Sequence, residues 1–418
     1  MSPRSDVLIV GAGVVGLAAA IELLQAGRSV LVVDAGRIGG GSSHGNCGTI
    51  TPSHAAPLAE PGQIARALRW LLTPDAPFYV RPRFDPALWR WFAKFASRCN
   101  ARDWREAMRG KAALLQASRA LLQERIERHA LDCEFLASGT DYVFRDERSL
   151  GHFAAELDAL SELGVASECM AGDAYSREET SLLPGVVGAV RFPGDARLRP
   201  DRFVAELARV CKALGGDIVE YCAVEHVELG NDGARVRSNG QTFIAREVVL
   251  AAGSWSPSLA RDFGLRIPIQ PGKGYSITYD RPATVPKRPL VLFERSVCVT
   301  AWDSGFRLGS TMEFSGYDTS LNRRRLDALE RGAAEYLREP VGPVRREEWF
   351  GWRPMTWDDL PLIGPVPGKL GAWIATGHGM LGVSMCMATA TLLGDVMLGR
   401  EPLVDPRPYR PERFGRNR

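Results

Sequence analysis

Three groups of residues in this chain have the types and spacing that chemistry requires. Gly11, Gly13 and Gly16 fall as G-x-G-x-x-G, and Asp34 follows 18 residues after Gly16. Gly377, His378 and Gly379 form a second glycine turn ahead of an apolar stretch. Between them, residues 35–62 are rich in glycine, serine and proline and carry Ser42, Ser43 and Asn46. The first group suits a pyrophosphate. Gly11 permits a tight turn, Gly13 lets the backbone approach the phosphates, and Gly16 lets a helix pack closely on a sheet. Helix N-terminal N–H groups add a positive dipole end. Asp34 stands where a carboxylate accepts a hydrogen bond from a ribose hydroxyl. This pattern does not choose between FAD and NAD.

The elements around these residues agree with that chemistry. Val7 to Val10 is a short β-branched run suited to a buried parallel strand, 14–26 has helical length, and 28–33 reads as a second buried strand. A loop as long as 35–62 inside a compact domain argues for function, and its polar side chains can wrap a ligand. Helices are expected over 64–72, 87–99 and 104–129, then a helix over 149–164 between strand-like stretches at 133–145 and 187–193. The 87–99 segment is aromatic-rich, with Trp89, Trp91, Phe92 and Phe95. Core packing is its expected role, with contact to a membrane surface as the alternative.

A helix over 202–214 ends at Gly215-Gly216, and a β-meander follows, with hairpin turns at Asn231-Asp232-Gly233 and Asn239-Gly240. Strands fill 268–314, and 320–337 reads as a charged helix with a solvated face. Residues 349–364 are expected to be a loop, 373–376 a strand, and 380–398 a buried helix, apolar or small nearly all round. The tail from Arg400 is expected to lie extended over the surface. The fold class is therefore α/β (α+β), a Rossmann-like domain with a β-meander interleaved with an antiparallel-sheet domain. The expected division is 1–55, 195–265 and 345–418 for the dinucleotide domain, and 56–194 and 266–344 for the substrate domain.

Composition limits the partners. The 418 residues are 45% hydrophobic and 24% charged, as in a globular protein. Net charge is +3, from 52 basic and 49 acidic residues, too balanced to point to nucleic acid. Eight cysteines form no C-x-x-C and no metal-ligand spacing, so no metal is expected and the thiols suit a reducing compartment. The first strand begins near residue 6, which leaves no room for a secretory leader, and no apolar run is long enough to span a bilayer. The expectation is a cytoplasmic protein, with peripheral contact at the inner face of the plasma membrane as the open alternative.

Four blocks then match a family. SSHGNCGTITPSHAAPLAEPG (42–62), PGKGYSIT (271–278), GWRPMTWDDLPLIG (351–364) and GHGMLGVSM (377–385) occur in the order found in the D-amino-acid oxidase/glycine oxidase group of FAD-dependent oxidoreductases. The chain resembles that group nearly end to end, and within it the bacterial D-amino-acid dehydrogenase small subunits. The resemblance implies FAD, held non-covalently, under a large antiparallel sheet. It implies that Gly11, Gly13, Val15, Gly16 and Asp34 hold the ADP part, with Val224 at the adenine and Ala252 and Gly253 beside it. Ser42, Ser43, Asn46, Gly48 and Thr49 would follow the pyrophosphate, ribityl chain and ring. Gly377, His378, Gly379, Met380, Leu381, Gly382 and Val383 would line the pyrimidine edge of the flavin, where a helix N-terminus stabilises the negative charge of the reduced ring. His378 has a second reading, as a turn residue that fixes backbone shape.

The implied chemistry is oxidation of a D-amino acid or cyclic D-imino acid, with hydride passing from Cα to flavin N5. Arg353 matches the family's carboxylate-binding arginine, and a guanidinium's paired donors suit both carboxylate oxygens. Tyr275 is a second candidate, its hydroxyl meeting the substrate carboxylate or amine, or its ring simply packing. His54 is a third. The relatives carry tyrosine there, and at Val383 a bulkier aromatic. Those two departures point to D-proline or cis-4-hydroxy-D-proline. Electrons are expected to pass to a quinone or another carrier. The alternatives are an oxidase that yields hydrogen peroxide, an NAD(P)-dependent oxidoreductase, and a flavin-binding protein that contacts a partner without turnover.

Overall fold

The structure is a computed structural model and describes residues 4–71, 76–230 and 232–415. Buried β-branched runs become the centre of the first sheet. Arg4–Val10 pairs in parallel with Val30–Val33 on one side and with Gln241–Leu250 on the other. Val7, Leu8 and Ile9 are fully buried because helices cover one face and the second half of the chain covers the other. Asp217–Val219 extends this sheet at one edge, and Ala372–Thr376 joins Gln241–Leu250 in parallel. The meander His226–Gly230, Gly233–Ser238 and Gln241–Leu250 is antiparallel. Asn239 and Gly240 both take positive φ at its second turn, as a two-residue hairpin requires. Of the first turn, Asn231 lies outside the described residues. Gln241–Leu250 is one unbroken ten-residue strand.

Small residues on Val14–Gln25 let it press against Gly382–Leu398 and Pro200–Ala213. Ala101–His129 packs on Gly382–Leu398 from outside. One acid sits in this apolar layer. Glu22 is buried and meets Arg125 at 2.6 Å and Arg400 at 2.9 Å. Burial pushes its carboxyl up, but the two guanidinium groups outweigh that and hold it below the ordinary carboxylate value.

The second sheet has nine strands among the described residues. Its main path runs Arg345–Met355, Gln270–Tyr279, Gly305–Phe314, Val297–Trp302, Leu290–Leu292, Thr140–Phe144, Gly188–Phe192 and Glu168–Ala171. Phe78–Val80 lies in parallel along Gly305–Phe314. Alternation fixes what each face does. Tyr275, Ile277 and Tyr279 pack with Leu326 and Leu329 of the helix Arg323–Ala334 on the outer face. Ser276 and Thr278 face inward, where Ser276 Oγ donates to the Gly45 carbonyl and Arg307 Nε donates to Thr278 Oγ1. The sheet thus roofs the glycine-rich segment.

Several expectations change. Residues 349–355 are not loop but the end of Arg345–Met355, and 362–365 form a further strand. Proline is tolerated there because the strand is the sheet's edge, with Pro354 opposite Pro271. This edge strand belongs to the second sheet, although the sequence groups 345–418 with the dinucleotide segments. The last helix starts at Gly382, two residues after the expected Met380, because Gly379 takes φ +53 and prolongs the turn. Glu168–Ala171 and Gly172–Glu178 are additional elements. The helix Arg323–Ala334 buries Arg325, Leu326 and Leu329, so only part of it is solvated. The tail is anchored, with Tyr409 buried and its hydroxyl donating to the Gly110 carbonyl at 2.7 Å.

Candidate functional site

A cavity of about 1880 Å³ runs between the two sheets, from the first glycine turn to the inner face of the roof. At its first end the glycine roles become geometric. Gly11 has φ +117, and a Cβ there would meet the Ala251 carbonyl oxygen at 2.5 Å. A Cβ on Gly16 would run into the Gly11 carbonyl oxygen, so Gly16 lies beneath the helix and does not border the cavity. Gly13 borders it, and a Cβ there would meet only Ser43 Oγ within 4 Å. This is a backbone surface open to a close approach. Asp34 holds the turn while facing the cavity. Its carboxylate accepts from Ala12 N at 2.7 Å and Gly36 N at 2.8 Å, leaving acceptor capacity for a hydroxyl. Val15, Val224, Ala252 and Gly253 complete this end.

The segment 42–49 forms the middle of the wall, and most of its polar side chains bind the protein itself. Ser43 Oγ accepts from Val14 N at 3.2 Å and caps the glycine helix. Asn46 staples the loop, its amide donating to the carbonyls of Ser42 and Ser43 and its oxygen accepting from Gly48 N. Asn46 therefore shapes the wall, with both amide N–H groups engaged by the protein. Gly48 has φ +68, and a Cβ there would strike the Leu198 carbonyl. Thr49 pairs with Arg197 in a two-stranded bridge, and its carbonyl accepts from Ser384 Oγ at 3.2 Å. His44 turns away to Glu347, 2.8 Å distant, and does not border the cavity.

At the far end stands Arg353, half-buried on the inner face of the edge strand. Its Nη1 donates to the Thr311 carbonyl. No carboxylate among the described residues pairs with it, and burial lowers its pKa from the ordinary arginine value. Two local features aim it. A Cβ on Gly274 would occupy the position of the guanidinium, so glycine is needed beneath it. Opposite, the register between Gln270–Tyr279 and Gly305–Phe314 slips at a bulge, and Thr311 takes φ +66, turning its carbonyl toward Arg353. Thr311 Oγ1 is buried with no partner, and it borders the cavity. Gly274, Thr311 and Met312 escaped the sequence reading. The glycine of P-G-K-G-Y was a usable signal, but the bulge has none in a single sequence.

Tyr275 takes the second of its two readings, packing. It borders the cavity, but its side chain joins the outer cluster, and its hydroxyl donates to Glu313 at 3.2 Å. In a strand, neighbours face opposite ways, and here Gly274 and Ser276 take the inner face. His54 does reach the cavity. Its ring meets the Tyr142 hydroxyl at 2.9 Å, and burial together with the charge of Lys111 pushes its pKa down to about 4. It is a neutral hydrogen-bonding ring at ordinary pH. Lys111 itself forms a buried ion pair with Asp359 at 2.6 Å.

The second glycine turn closes this end. His378, Gly379, Met380, Leu381, Gly382 and Val383 border the cavity. Gly377 does not: a Cβ there would press on Leu362 and Thr356 at 2.9 Å. His378 points inward, its Nε2 3.0 Å from Thr389 Oγ1, and burial pushes its pKa down to about 3. Its geometry is that of a residue fixing the turn. Gly379 N donates to the Pro354 carbonyl at 3.1 Å, which ties this turn to the Arg353 strand. The site thus joins a glycine cradle, an extended cavity and a half-buried guanidinium with no carboxylate partner among the described residues. Those residues fit a dinucleotide with a small anionic molecule at one end.

Comparison with known proteins is consistent with this arrangement. A family profile described as FAD dependent oxidoreductase (DAO) matches residues 6–396. The D-amino acid dehydrogenase of Granulibacter bethesdensis is 32% identical over 410 residues, covering 96% of this chain and 97% of that protein. The D-amino acid dehydrogenase of Rhizorhabdus wittichii is 33% identical over 408 residues, covering 96% and 97%. Among solved structures, glycine oxidase from Geobacillus kaustophilus superposes with a TM-score of 0.79 at 21% identity over 98% of each chain. L-proline dehydrogenase from P. horikoshii gives 0.74 at 19% identity over the full length of both. At those identities the structural likeness speaks for the fold alone.

Proposed function

Since the chain belongs to the FAD dependent oxidoreductase (DAO) family, we propose that it oxidises the Cα–N bond of D-amino acids or cyclic D-imino acids. The observation that carries this reading is Arg353, a half-buried guanidinium on the cavity wall that no carboxylate among the described residues neutralises. A cation held away from water in this way calls for an anionic partner. FAD, when bound, supplies the hydride acceptor for Cα. Gly11, Gly13 and Asp34 would hold its ADP part, and His378 to Val383 its ring end, with no covalent link.

The chain's own work is binding and orientation. Arg353 takes the substrate carboxylate with two parallel donors. Thr311 Oγ1, orphaned beside it, accepts or donates to the bound molecule. The roof excludes water, which strengthens both contacts. No general base is needed, because a substrate amine can lose its proton before it binds. His54 and Tyr142 present a neutral wall. With the small Val383 it supports a compact ring as substrate, and D-proline or cis-4-hydroxy-D-proline are the candidates.

Electrons would leave to a quinone or another carrier. Ile64, Leu68 and Trp89 border the cavity with exposed apolar side chains, and Phe84 nearby in sequence is 95% exposed. That apolar group supports peripheral membrane contact. No helix among the described residues is long and apolar enough to cross a membrane. Anaerobic mixing of the yellow protein with D- and L-amino acids and cyclic imino acids tests the proposal through flavin bleaching. Bleaching by the D-forms is expected, and air readmission separates a dehydrogenase from a peroxide-forming oxidase. A yellow protein that no amino or imino acid bleaches overturns the reading in favour of a flavoprotein without this turnover.

A further inference from the structure

Two thiols meet where the glycine-rich loop touches the roof. Cys47 lies in the loop, and a Cβ on Gly309 would sit 2.5 Å from its Sγ. Gly309 is the antiparallel register partner of Cys298 in Val297–Trp302. Register partners share a face, with Cβ positions about 4.5–5.5 Å apart. Cys47 Sγ therefore fills the space above Gly309 that Cys298 faces from the next strand. Both thiols border the cavity, and each shifts the other's titration. The missing side chain at Gly309 is what admits the Cys47 sulfur.

The surroundings give the pair an asymmetry. Cys298 beside it, with the guanidinium groups of Arg307 and Arg353, holds the Cys47 thiol below the ordinary cysteine value. Cys298 has only the Thr300 hydroxyl, 4.0 Å away, besides Cys47, and is pushed well up. The remaining cysteines have no such neighbour. Cys133, Cys211, Cys222 and Cys386 are buried singly, Cys99 is half-buried, and Cys169 is exposed. A thiol beside arginines with a second thiol next to it is the arrangement of an attacking and a resolving cysteine.

We propose that Cys47 and Cys298 are a hydroperoxide-sensitive dithiol that closes to a disulfide across the seam between the glycine-rich loop and the roofing sheet. Cys47 Sγ attacks a peroxide oxygen, the S–O bond forms as O–O breaks, and the departing hydroxide takes a proton to become water. Cys298 then gives up its proton and attacks the Cys47 sulfur, so S–S forms as S–O breaks and a second water leaves. Two thiols lose two electrons in total, and one peroxide gains them. The bond would tie residues 251 positions apart.

The test is peptide mass mapping of the FAD-loaded protein after hydrogen peroxide and alkylation of the remaining thiols. The expected product is a linked Cys47–Cys298 peptide pair, about 2 Da below the sum of the reduced peptides and released by dithiothreitol. In Cys298→Ser, Cys47 is expected to gain about 32 Da as the sulfinic acid, having lost its resolving partner. Overoxidation of Cys47 in the unmodified protein with Cys298 still open to alkylation overturns the proposal. So does oxidation of exposed Cys169 while both cavity thiols stay reduced. The outcome is read from mass and is independent of whether an amino acid is the substrate.

Discussion

At the residue scale the site rests on a few side chains that have lost their alternatives. Arg353 has one carbonyl and no carboxylate, so it gains a full charge-assisted pair when an anion enters. Arg353→Lys keeps the charge but loses the fork. We expect it to raise KM for the best amino or imino acid by about 10–100-fold, in line with the roughly 1.5–3 kcal/mol of such a bond. The flavin spectrum should stay intact. An unchanged KM in steady-state assays would remove Arg353 from the carboxylate site. This arginine was legible because its R-P block is specific. For Tyr275 the sequence left contact and packing both open, because strand parity cannot be read without the register, and a shift of one residue exchanges the two faces. Asn46 was legible as a loop polar residue, but its use as a staple depends on which backbone groups the loop brings within reach.

At the element scale, glycines decide where strands and turns can approach one another. Gly274 makes room for the Arg353 guanidinium. Gly274→Ala should therefore displace Arg353 and raise KM, while bound FAD per protein, read from the visible bands, stays near that of the parent. Loss of FAD in this variant would instead place Gly274 in cofactor binding. Gly16 acts at the other end. A methyl group there meets a carbonyl oxygen fixed by the first strand, so Gly16→Ala should cost about 1–3 kcal/mol of stability as an overpacking change. It should also lower FAD content, both measurable by thermal melts and absorbance. The glycine helix and its two strands were legible because local pattern and tertiary role coincide. The edge strand Arg345–Met355 was not, since tryptophan, arginine and proline disguise its alternation.

At the scale of the whole molecule, buried titratable groups set the pH response. His54 and His378 titrate near about 4 and about 3 in the fold, below the ordinary histidine value, because burial penalises the charged ring. From about pH 6.5 downward the unfolded chain protonates these rings first, so stability falls as pH drops, by roughly 1.4 kcal/mol per unit for each ring. Asp195 and Glu156 act in the opposite sense. Burial raises both to about 7, with Glu60 adding to the effect at Glu156. The folded chain keeps these protons where the unfolded chain has lost them, so stability rises as pH drops from about 7 to about 4. Asp195→Asn removes one counterweight. Its melting temperature should fall more steeply between pH 6.5 and 4.5 than that of the parent, and parallel profiles would refute the assignment. The exposed Trp89 makes a second whole-molecule prediction. Trp89→Glu should weaken cosedimentation with anionic lipid vesicles if this side meets a membrane, and unchanged sedimentation would discard that contact.

The sequence by itself determined the family, the two kinds of sheet and the two glycine turns at the ends of the cavity. Those signals are local: a glycine triplet between a strand and a helix, a second glycine turn before a buried helix, and blocks of fixed spacing. Tertiary structure alone decided which side of each strand faces the cavity, that a bulge at Thr311 turns a carbonyl toward Arg353, and that Cys47 lies against Cys298. These relations join residues far apart in the chain, through register and packing. No single stretch of sequence carries them, because a strand's pairing partner, not its own composition, sets its register.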